Sequence, residues 1–444
     1  MNQDHKQNTV QQERAILVGA FLPRDRHHGQ EDPLQELQAL AQSAGACVVY
    51  RSLQKLRDIH AATYIGSGKA RQLREKVLEH EAEVVIFDND LTPAQIRELE
   101  TIVKCKVLDR SELILDIFAT RARTKQAKLQ VELAQLEYTY PRLTRMWGHL
   151  DTVTGAGGGT AAGAVGGIGT RGTGEKQLEI DRRLVKKRIT ELKREIDGID
   201  KRKLREIEGR RGFYKICLVG YTNAGKSTLM NALTAAEVYV EDQLFATLDT
   251  RTRKWGVQSG VEALLSDTVG FVSKLPHHLV ASFKATLEEA VNADLLVHVV
   301  DASSPEVFDQ IKSVETVLKE IHCSGKDMLV VLNKSDHIAR RDLFDAVQTV
   351  YPDALSVSAK TGYQLEQLAG AIAERIRGDR VRVRVTASAG DGKLNHFLHT
   401  VGNDLTEHYQ DSTVSIEATL GRNQLAWLNQ YRPHSVEVIA ADRD

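Results

Sequence analysis

KICLVGYTNAGKSTLMNAL, residues 215–233, writes a strand, a loop and a helix in nineteen letters. The apolar run Ile216–Val219 predicts a buried strand, and the polar, glycine-punctuated GYTNAGKS at 220–227 predicts the turn into a helix. Its spacing is GxxxxGKS in the strand–loop–helix context that phosphate cradling requires. Gly220 and Gly225 let the backbone N–H groups of Tyr221, Thr222, Asn223 and Ala224 turn inward, and the helix N-terminus at Lys226, Ser227 and Thr228 adds partial positive charge. Lys226 can reach β- and γ-phosphates, and the Ser227 hydroxyl can ligate Mg²⁺.

Three further motifs follow in order, each after an apolar strand. ALLSDTVG ends in Asp267, Thr268, Val269 and Gly270, a DxxG arrangement. Its carboxylate can hold Mg²⁺ through water, and the Gly270 N–H can sense a γ-phosphate. MLVVLNKSD ends in Asn333, Lys334, Ser335 and Asp336. Asp336 can accept both the guanine N1–H and the exocyclic amine, a donor pair adenine lacks, with Asn333 and Lys334 shaping the base pocket. LSVSAK ends in Ser358, Ala359 and Lys360, where the Ala359 N–H can meet guanine O6. Each short motif alone could be a surface loop; their shared order reads as a GTPase, with GTP as substrate and Mg²⁺ as cofactor.

Outward from this core, 444 residues exceed one ordinary domain. The expected fold class is α/β: a P-loop GTPase domain at 212–378, preceded by a small α/β domain at 14–109 and a long antiparallel helical hairpin at 110–211, and followed by a small α+β domain at 380–444. Residues 1–13 read as a disordered polar tail. AILVGAF (15–21), CVVY (47–50), VVIFD (84–88) and KVLD (106–109) read as strands, alternating with helical stretches at 33–44, 68–80 and 93–103. In the hairpin, Leu129, Leu133, Leu136, Tyr140, Leu143, Trp147 and Leu150 face Val185, Ile189, Leu192, Ile196 and Ile199 in heptad spacing, with Pro141 expected to kink the first helix. Between them lies a glycine-rich loop, 155–174, in which ten of twenty residues are glycine. VRVRVT, a helix over 391–408, VSIEATL and VEVIA make up the last unit.

Taken as a total, the formal net charge of -1 excludes a generically basic nucleic-acid binder. Divided by segment, residues 110–211 carry 22 Lys+Arg against 14 Asp+Glu, a net of +8, and the remainder a net of -9. A basic hairpin is either a solvated face stitched by i,i+4 pairs or an RNA-facing surface, and the loop beside it favours RNA. Cys47, Cys105, Cys217 and Cys323 form no CxxC pair, and the histidine pairs have no companion ligand cluster. No apolar run is long enough for a membrane span and the N-terminus lacks a signal-peptide core, so a cytoplasmic location is expected. Nothing demands more than a monomer.

LFATLDTRTR (244–253) and DTVGFVSKLPHHLVASFKATLEEA (267–290) resemble the HflX family of translation-factor-related P-loop GTPases. TYIGSGKARQL (63–73), DRSELILDIFATRARTKQAKLQVELAQLEY (109–138) and GGIGTRGTGEKQLEIDRR (166–183) resemble the same family, so the likeness spans about 15–440. The resemblance implies that Thr247 is the switch I threonine contacting Mg²⁺ and the γ-phosphate, so that Lys226, Thr247 and Gly270 carry the catalytic contacts and Ser227, Thr247 and Asp267 the metal. It implies a factor that binds the large (50S) ribosomal subunit and its rRNA and splits stalled or stress-arrested 70S particles, the loop approaching the peptidyl-transferase centre. A role in large-subunit assembly, or nucleotide-driven rRNA remodelling by the N-terminal part, is the alternative; GSGKA (66–70) lacks the full phosphate-loop spacing and reads as a glycine turn. Phe271 stands where many GTPases carry a glutamine that orients water, and hydrophobic residues are usual there in the family, so intrinsic hydrolysis should be slow. Asn223 resembles the asparagine of potassium-stimulated GTPases, and is equally a residue that tolerates left-handed backbone. The sequence departs from the family in Thr173, where proline is usual, and in the Gly/Ala stretch near 155–165.

Overall fold

The computed structural model describes residues 13–23, 32–146, 182–199, 213–234, 244–245, 250–258, 261–273, 284–338, 340–410, 412–421, 424–425 and 428–441. They cluster into two compact units. One comprises Met1–Ile199 with Asp242–Leu248 and Lys274–Lys284; the other comprises Asp200–Glu241, Asp249–Ser273 and Ala285–Asp444.

In the first unit, β1 (Arg14–Phe21), β2 (Cys47–Lys55), β3 (Val84–Phe87) and β4 (Lys106–Asp109) form a parallel sheet in the order β2-β1-β3-β4. The interior of β1 and all of β3 are buried, as strands covered on both faces must be. Helices α1 (Gln35–Ser43), α2 (Ser67–Glu79) and α3 (Pro93–Val103) alternate with the strands, close to the expected stretches. GSGKA begins α2, with Gly66 at φ +84° just before its first turn. The chain continues through α4 (Arg110–Arg121) and α5 (Lys125–Met146), the latter running through Pro141 as one element.

A further helix, α6, occupies 182–199. Buried Leu129, Leu133 and Leu192 join α5 to α6, with Leu136, Ile189, Ile196 and Ile199 packed around them. Arg188 grips Glu132 at 2.8 and 2.9 Å, and Lys193 reaches Glu137 at 2.8 Å. Trp147, Leu150, Thr173 and the glycine-rich loop 155–174 lie outside the described residues, and so does the turn joining the two helices. Leu244 and Phe245 also pack in this unit. The Leu244 N–H donates to Ser43 Oγ at 3.1 Å, and the Phe245 ring meets Phe118 edge-on with centroids 4.6 Å apart.

The second unit contains β5 (Tyr214–Gly220), β6 (Arg251–Gln258), β7 (Val261–Asp267), β8 (Leu295–Asp301), β9 (Asp327–Asn333) and β10 (Leu355–Ser356), in the order β10-β9-β8-β5-β7-β6. Only β6 runs antiparallel. Helices α7 (Lys226–Thr234), α8 (Lys284–Val291), α9 (Val307–Glu320), α10 (Arg341–Val350) and α11 (Leu365–Gly378) complete the layer. Leu218, Val297 and Val331 of the sheet pack with Leu229, Leu368 and Ile372 of the helices in one core. Because β5, β7, β8 and β9 are parallel, their last residues Gly220, Asp267, Asp301 and Asn333 gather along one edge of the sheet, the edge where open α/β sheets place ligands.

The remaining strands β11 (Arg380–Ser388), β12 (Asn403–Gln410), β13 (Thr413–Gly421) and β14 (Ser435–Ala441) form an antiparallel sheet in the order β12-β13-β11-β14. Helix α12 (Gly392–Val401) covers one face through Leu394 and Leu398, which pack on Val383, Val385 and Ile416. The helix expected over 391–408 therefore ends seven residues early. Gly402 is extended, with φ −83° and ψ 147°, and a side chain there would come 2.7 Å from the Leu398 carbonyl oxygen. Residues 403–410 then pair with β13 as an edge strand. Among the described residues no helix is long and apolar enough to cross a membrane, and no group of three or more His, Cys, Asp or Glu is placed to hold a metal ion.

His298 lies in the middle of β8, 1% exposed, and its Nδ1 has no hydrogen-bond partner. Burial pushes its pKa from 6.5 down to about 4, with Lys226 adding a smaller effect in the same direction. The unfolded chain therefore binds one more proton than the folded chain between these values. The contribution of the neutral ring to stability is complete above pH 6.5 and is lost as pH falls toward about 4, on the order of 3 kcal/mol in total. Denaturant titrations of the parent protein and of His298→Leu at pH 4.5 and 7 are expected to differ in the pH dependence of stability by about that amount, the parent losing more at the lower pH.

Candidate nucleotide site

The site begins where β5 ends. A side chain at Gly220 would come 2.2 Å from the Val299 carbonyl oxygen on β8, so the strand cannot carry one and still pass its neighbour. The loop then turns through Asn223 at φ +60° and Gly225 at φ +89° before α7 starts at Lys226. Gly225 is doubly constrained, since a Cβ there would also strike Asn333 Nδ2 at 2.3 Å. Asn223 is exposed, and its left-handed backbone agrees with the second of its two expected roles.

Asn333 is 2% exposed and joins three motifs. Its Nδ2 donates to the Ala224 carbonyl at 2.9 Å, and its Oδ1 accepts from the Ala359 N–H at 3.0 Å. The loop 220–227, the NKSD segment and the SAK segment are thereby fixed to one another by a single carboxamide. The Ala359 N–H, expected to face a guanine O6, is occupied by Asn333 in this structure. Lys334 takes φ +60° and pairs with Asp301 at 2.8 Å. Asp301 was not singled out by motif, although it ends its strand just as Asp267 and Asn333 end theirs. Asp336 accepts from Ser358 Oγ at 2.7 Å, and that bond holds its carboxyl below the ordinary range. Ser358 Oγ also accepts from the Thr361 N–H at 3.2 Å, while Ser335 and Lys360 stand beside these groups in the chain.

At the phosphate end, Lys226 is buried and its ammonium donates to the carbonyls of Gly220 at 3.1 Å and Tyr221 at 2.8 Å. Burial lowers its pKa to about 8. Ser227 Oγ donates to Asp267 Oδ2 at 2.5 Å, whereas Asp267 Oδ1 is buried with no partner. Burial raises the pKa of this carboxyl group. A hydroxyl and a carboxylate in contact, with one buried oxygen unsatisfied, are hard oxygen donors that fit Mg²⁺, and the cation would offset the cost of burying the charge. Thr268 anchors the segment by donating to the Leu218 carbonyl at 2.7 Å, and Val269 is buried. Gly270 lies against Thr222 and Lys226, where a Cβ would come 2.7 Å from Thr222 Cα. Thr247 lies outside the described residues, and Thr228 follows Ser227 in the first turn of α7.

Comparison with known proteins places most of the chain, with family matches between residues 31 and 334. Residues 31–119 match the family described as GTP-binding GTPase N-terminal, 121–210 the GTP-binding GTPase Middle Region, and 215–334 the 50S ribosome-binding GTPase. The chain is 41% identical over 417 residues to GTPase HflX of Escherichia coli strain K12, covering 92% of this chain and 93% of that one. It is 40% identical over 410 residues to GTPase HflX of Lacrimispora saccharolytica, again over 92% and 93%. Among solved structures, a GTP-binding protein from the archaeon Sulfolobus solfataricus in complex with GDP aligns at 26% identity and a TM-score of 0.42, over 82% of this chain and 98% of that one.

Asn333→Ala would leave the buried Ala359 N–H and Ala224 carbonyl without their partner, at about 1–3 kcal/mol for each group. The variant is expected to unfold at a lower denaturant concentration and to lose guanine-nucleotide affinity by at least tenfold. Both are measurable on one preparation, by chemical denaturation and by titration with a fluorescent nucleotide.

Proposed function

The chain belongs to the HflX GTPase family, and from that premise we propose that it is the GTP-driven factor that binds the large ribosomal subunit and splits stalled or stress-arrested 70S ribosomes. The observation that carries the nucleotide part is the Asn333 staple, which holds phosphate-loop and base-pocket motifs at a fixed spacing. The match of residues 215–334 to the 50S ribosome-binding GTPase family, and the net of +8 over residues 110–211, support the ribosomal part.

In this reading Asp336 accepts the two guanine donors, its partner Ser358 keeping the carboxylate ionised and aimed. The Ala359 N–H turns from Asn333 to the base carbonyl or shares it. Backbone N–H groups of 221–226 and the Lys226 ammonium receive the phosphates, and Gly270 offers its N–H to the third. Ser227, Asp267 and Thr247 hold Mg²⁺, which supplies charge neutralisation on the phosphate oxygens. Phe271 offers no hydrogen bond to an attacking water, so the chain alone hydrolyses GTP slowly and the ribosome accelerates it by ordering the switch segments. The basic hairpin with its loop 155–174 contacts rRNA phosphates, and hydrolysis releases the factor. The chain acts as a monomer in the cytoplasm.

Sedimentation of 70S particles incubated with the protein and GTP is expected to yield free subunits, and deletion of 155–174 to abolish the effect. Co-migration with the large subunit and no splitting would transfer the assignment to subunit assembly. Unchanged splitting by the deletion would remove the role given to the loop. Binding is expected to weaken by orders of magnitude between about 50 and 200 mM salt, as counterion release at several phosphates requires.

Asn223 additionally holds K⁺ beside the phosphates in this reading. GTP turnover is then expected to be several-fold faster in K⁺ than in Na⁺ at matched ionic strength, and equal rates would leave Asn223 as a turn residue alone.

A further inference from the structure

Phe271 cannot orient a water, and the phosphate loop holds a side chain that can. Thr222 is 6% exposed, and its Oγ1 is buried with no hydrogen-bond partner among the described residues. A buried hydroxyl in that condition costs stability relative to an apolar group of the same shape, so its presence calls for a reason. A partner that arrives with the substrate supplies one.

The backbone fixes where this residue stands. The Thr222 N–H donates to the Phe271 carbonyl at 2.7 Å, and the Phe271 N–H donates to the Gly220 carbonyl at 3.1 Å. The Thr222 N–H is therefore occupied in this structure, whereas the motif placed it among the groups turned toward phosphate. A Cβ on Gly270 would meet Thr222 Cα at 2.7 Å, Thr222 Cγ2 at 2.8 Å and Lys226 Nζ at 3.0 Å. Thr222 and Lys226 thus flank the Gly270 backbone, which offers its N–H to the γ-phosphate. The Lys226 ammonium has donors and no acceptor. The Thr222 hydroxyl both donates and accepts, and rotation about χ1 brings it to the place where the methyl group meets Gly270.

We propose that Thr222 is a catalytic residue for GTP hydrolysis, its hydroxyl accepting a hydrogen bond from the attacking water and holding that water in line with the γ-phosphorus. The inference rests on the reading of 220–227 as the phosphate loop and of Gly270 as the γ-phosphate contact. In the step, the water oxygen bonds to the γ-phosphorus while the bond from that phosphorus to the β,γ-bridging oxygen breaks, its electron pair staying on GDP. One water proton passes to a γ-phosphate oxygen, so the products are GDP and dihydrogen phosphate. The other water proton is the one that Thr222 Oγ1 accepts as a hydrogen bond. Thr222 keeps its own proton throughout, so it orients the water and is not a base. One neutral hydroxyl gives modest help, which is compatible with slow hydrolysis by the chain alone.

The test uses the full chain and compares Thr222→Val, which keeps the shape and removes the hydroxyl, with Thr222→Ser, which keeps the hydroxyl. Single-turnover GTP hydrolysis is expected to slow about tenfold in Thr222→Val, the scale of one hydrogen bond at the reacting atoms, and to stay within about twofold of the parent in Thr222→Ser. Kd for GDP and for a non-hydrolysable GTP analogue should be unchanged in both variants. Thr222→Val should also unfold at an equal or higher denaturant concentration, because it removes an unpaired buried hydroxyl. A parent rate in Thr222→Val, an equal loss of rate in Thr222→Ser, or a loss that appears in analogue Kd instead of in the rate would overturn the assignment. A lower unfolding midpoint in Thr222→Val would overturn it too, since the hydroxyl would then serve the fold. Lys226→Ala separates this from the underlying reading. If it abolishes binding of both nucleotides while Thr222→Val hydrolyses GTP at the parent rate, only the role of Thr222 fails. If it binds both normally, the phosphate-loop reading fails and the proposal with it.

Discussion

One carboxamide sets the geometry on which the rest of the nucleotide site depends. Asn333 ends a buried parallel strand, and its side chain satisfies a carbonyl of one loop and an N–H of another. Both contacts are removed from water, so leaving either group unpaired costs more than the bond itself contributes. The loops cannot drift apart without that cost, nor move closer, because Gly225 already stands where any Cβ would collide with the Asn333 amide. A nucleotide whose base and phosphates must be held at once needs such a fixed spacing, and neither loop could provide it alone.

The same economy governs the charged groups. Lys226, Asp267 and Ser227 are packed into a small volume at the mouth of the sheet, and burial moves the lysine down and the carboxyl up, each toward its neutral form. Neither shift suits a resting interior; both suit a site designed to meet phosphate and a divalent cation, whose charges reverse them. At the base end the logic is opposite. Asp336 is solvated and hydrogen-bonded by Ser358, and its carboxylate stays ionised and ready to accept. One domain thus keeps two carboxylates in contrasting environments.

The charge of the chain illustrates how an average can mislead. A total of -1 conceals a segment of net +8, and that segment is where the two helices meet through Leu129, Leu133 and Leu192. Some of its basic residues are spoken for, Arg188 by Glu132 and Lys193 by Glu137. These pairs border the apolar seam and help to align it, and because their acids are already counted, the net of +8 is what remains for an anionic partner.

Local pattern carried the motifs. GxxxxGKS, DxxG, NKSD and SAK were legible because each depends on residue type at fixed offsets after an apolar strand, and so were the strands of the first sheet, whose runs of Ile, Val and Leu are short and bounded. The helix over 391–408 was overextended because a side chain at Gly402 would strike the Leu398 carbonyl oxygen and residues 403–410 pair with β13, and both are contacts that the apolar pattern does not announce. Asp301 escaped notice for the same reason, since its significance is the Lys334 ammonium 2.8 Å away. The sequence by itself determined which chemistry the chain can perform, because phosphate and guanine recognition are written in side-chain identity. Only the tertiary structure decided how the pieces constrain one another: the Asn333 staple, the Ser227–Asp267 contact and the Thr268–Leu218 bond join residues that are 26 to 109 positions apart, and hydrogen bonds across such distances leave no periodic trace in the chain.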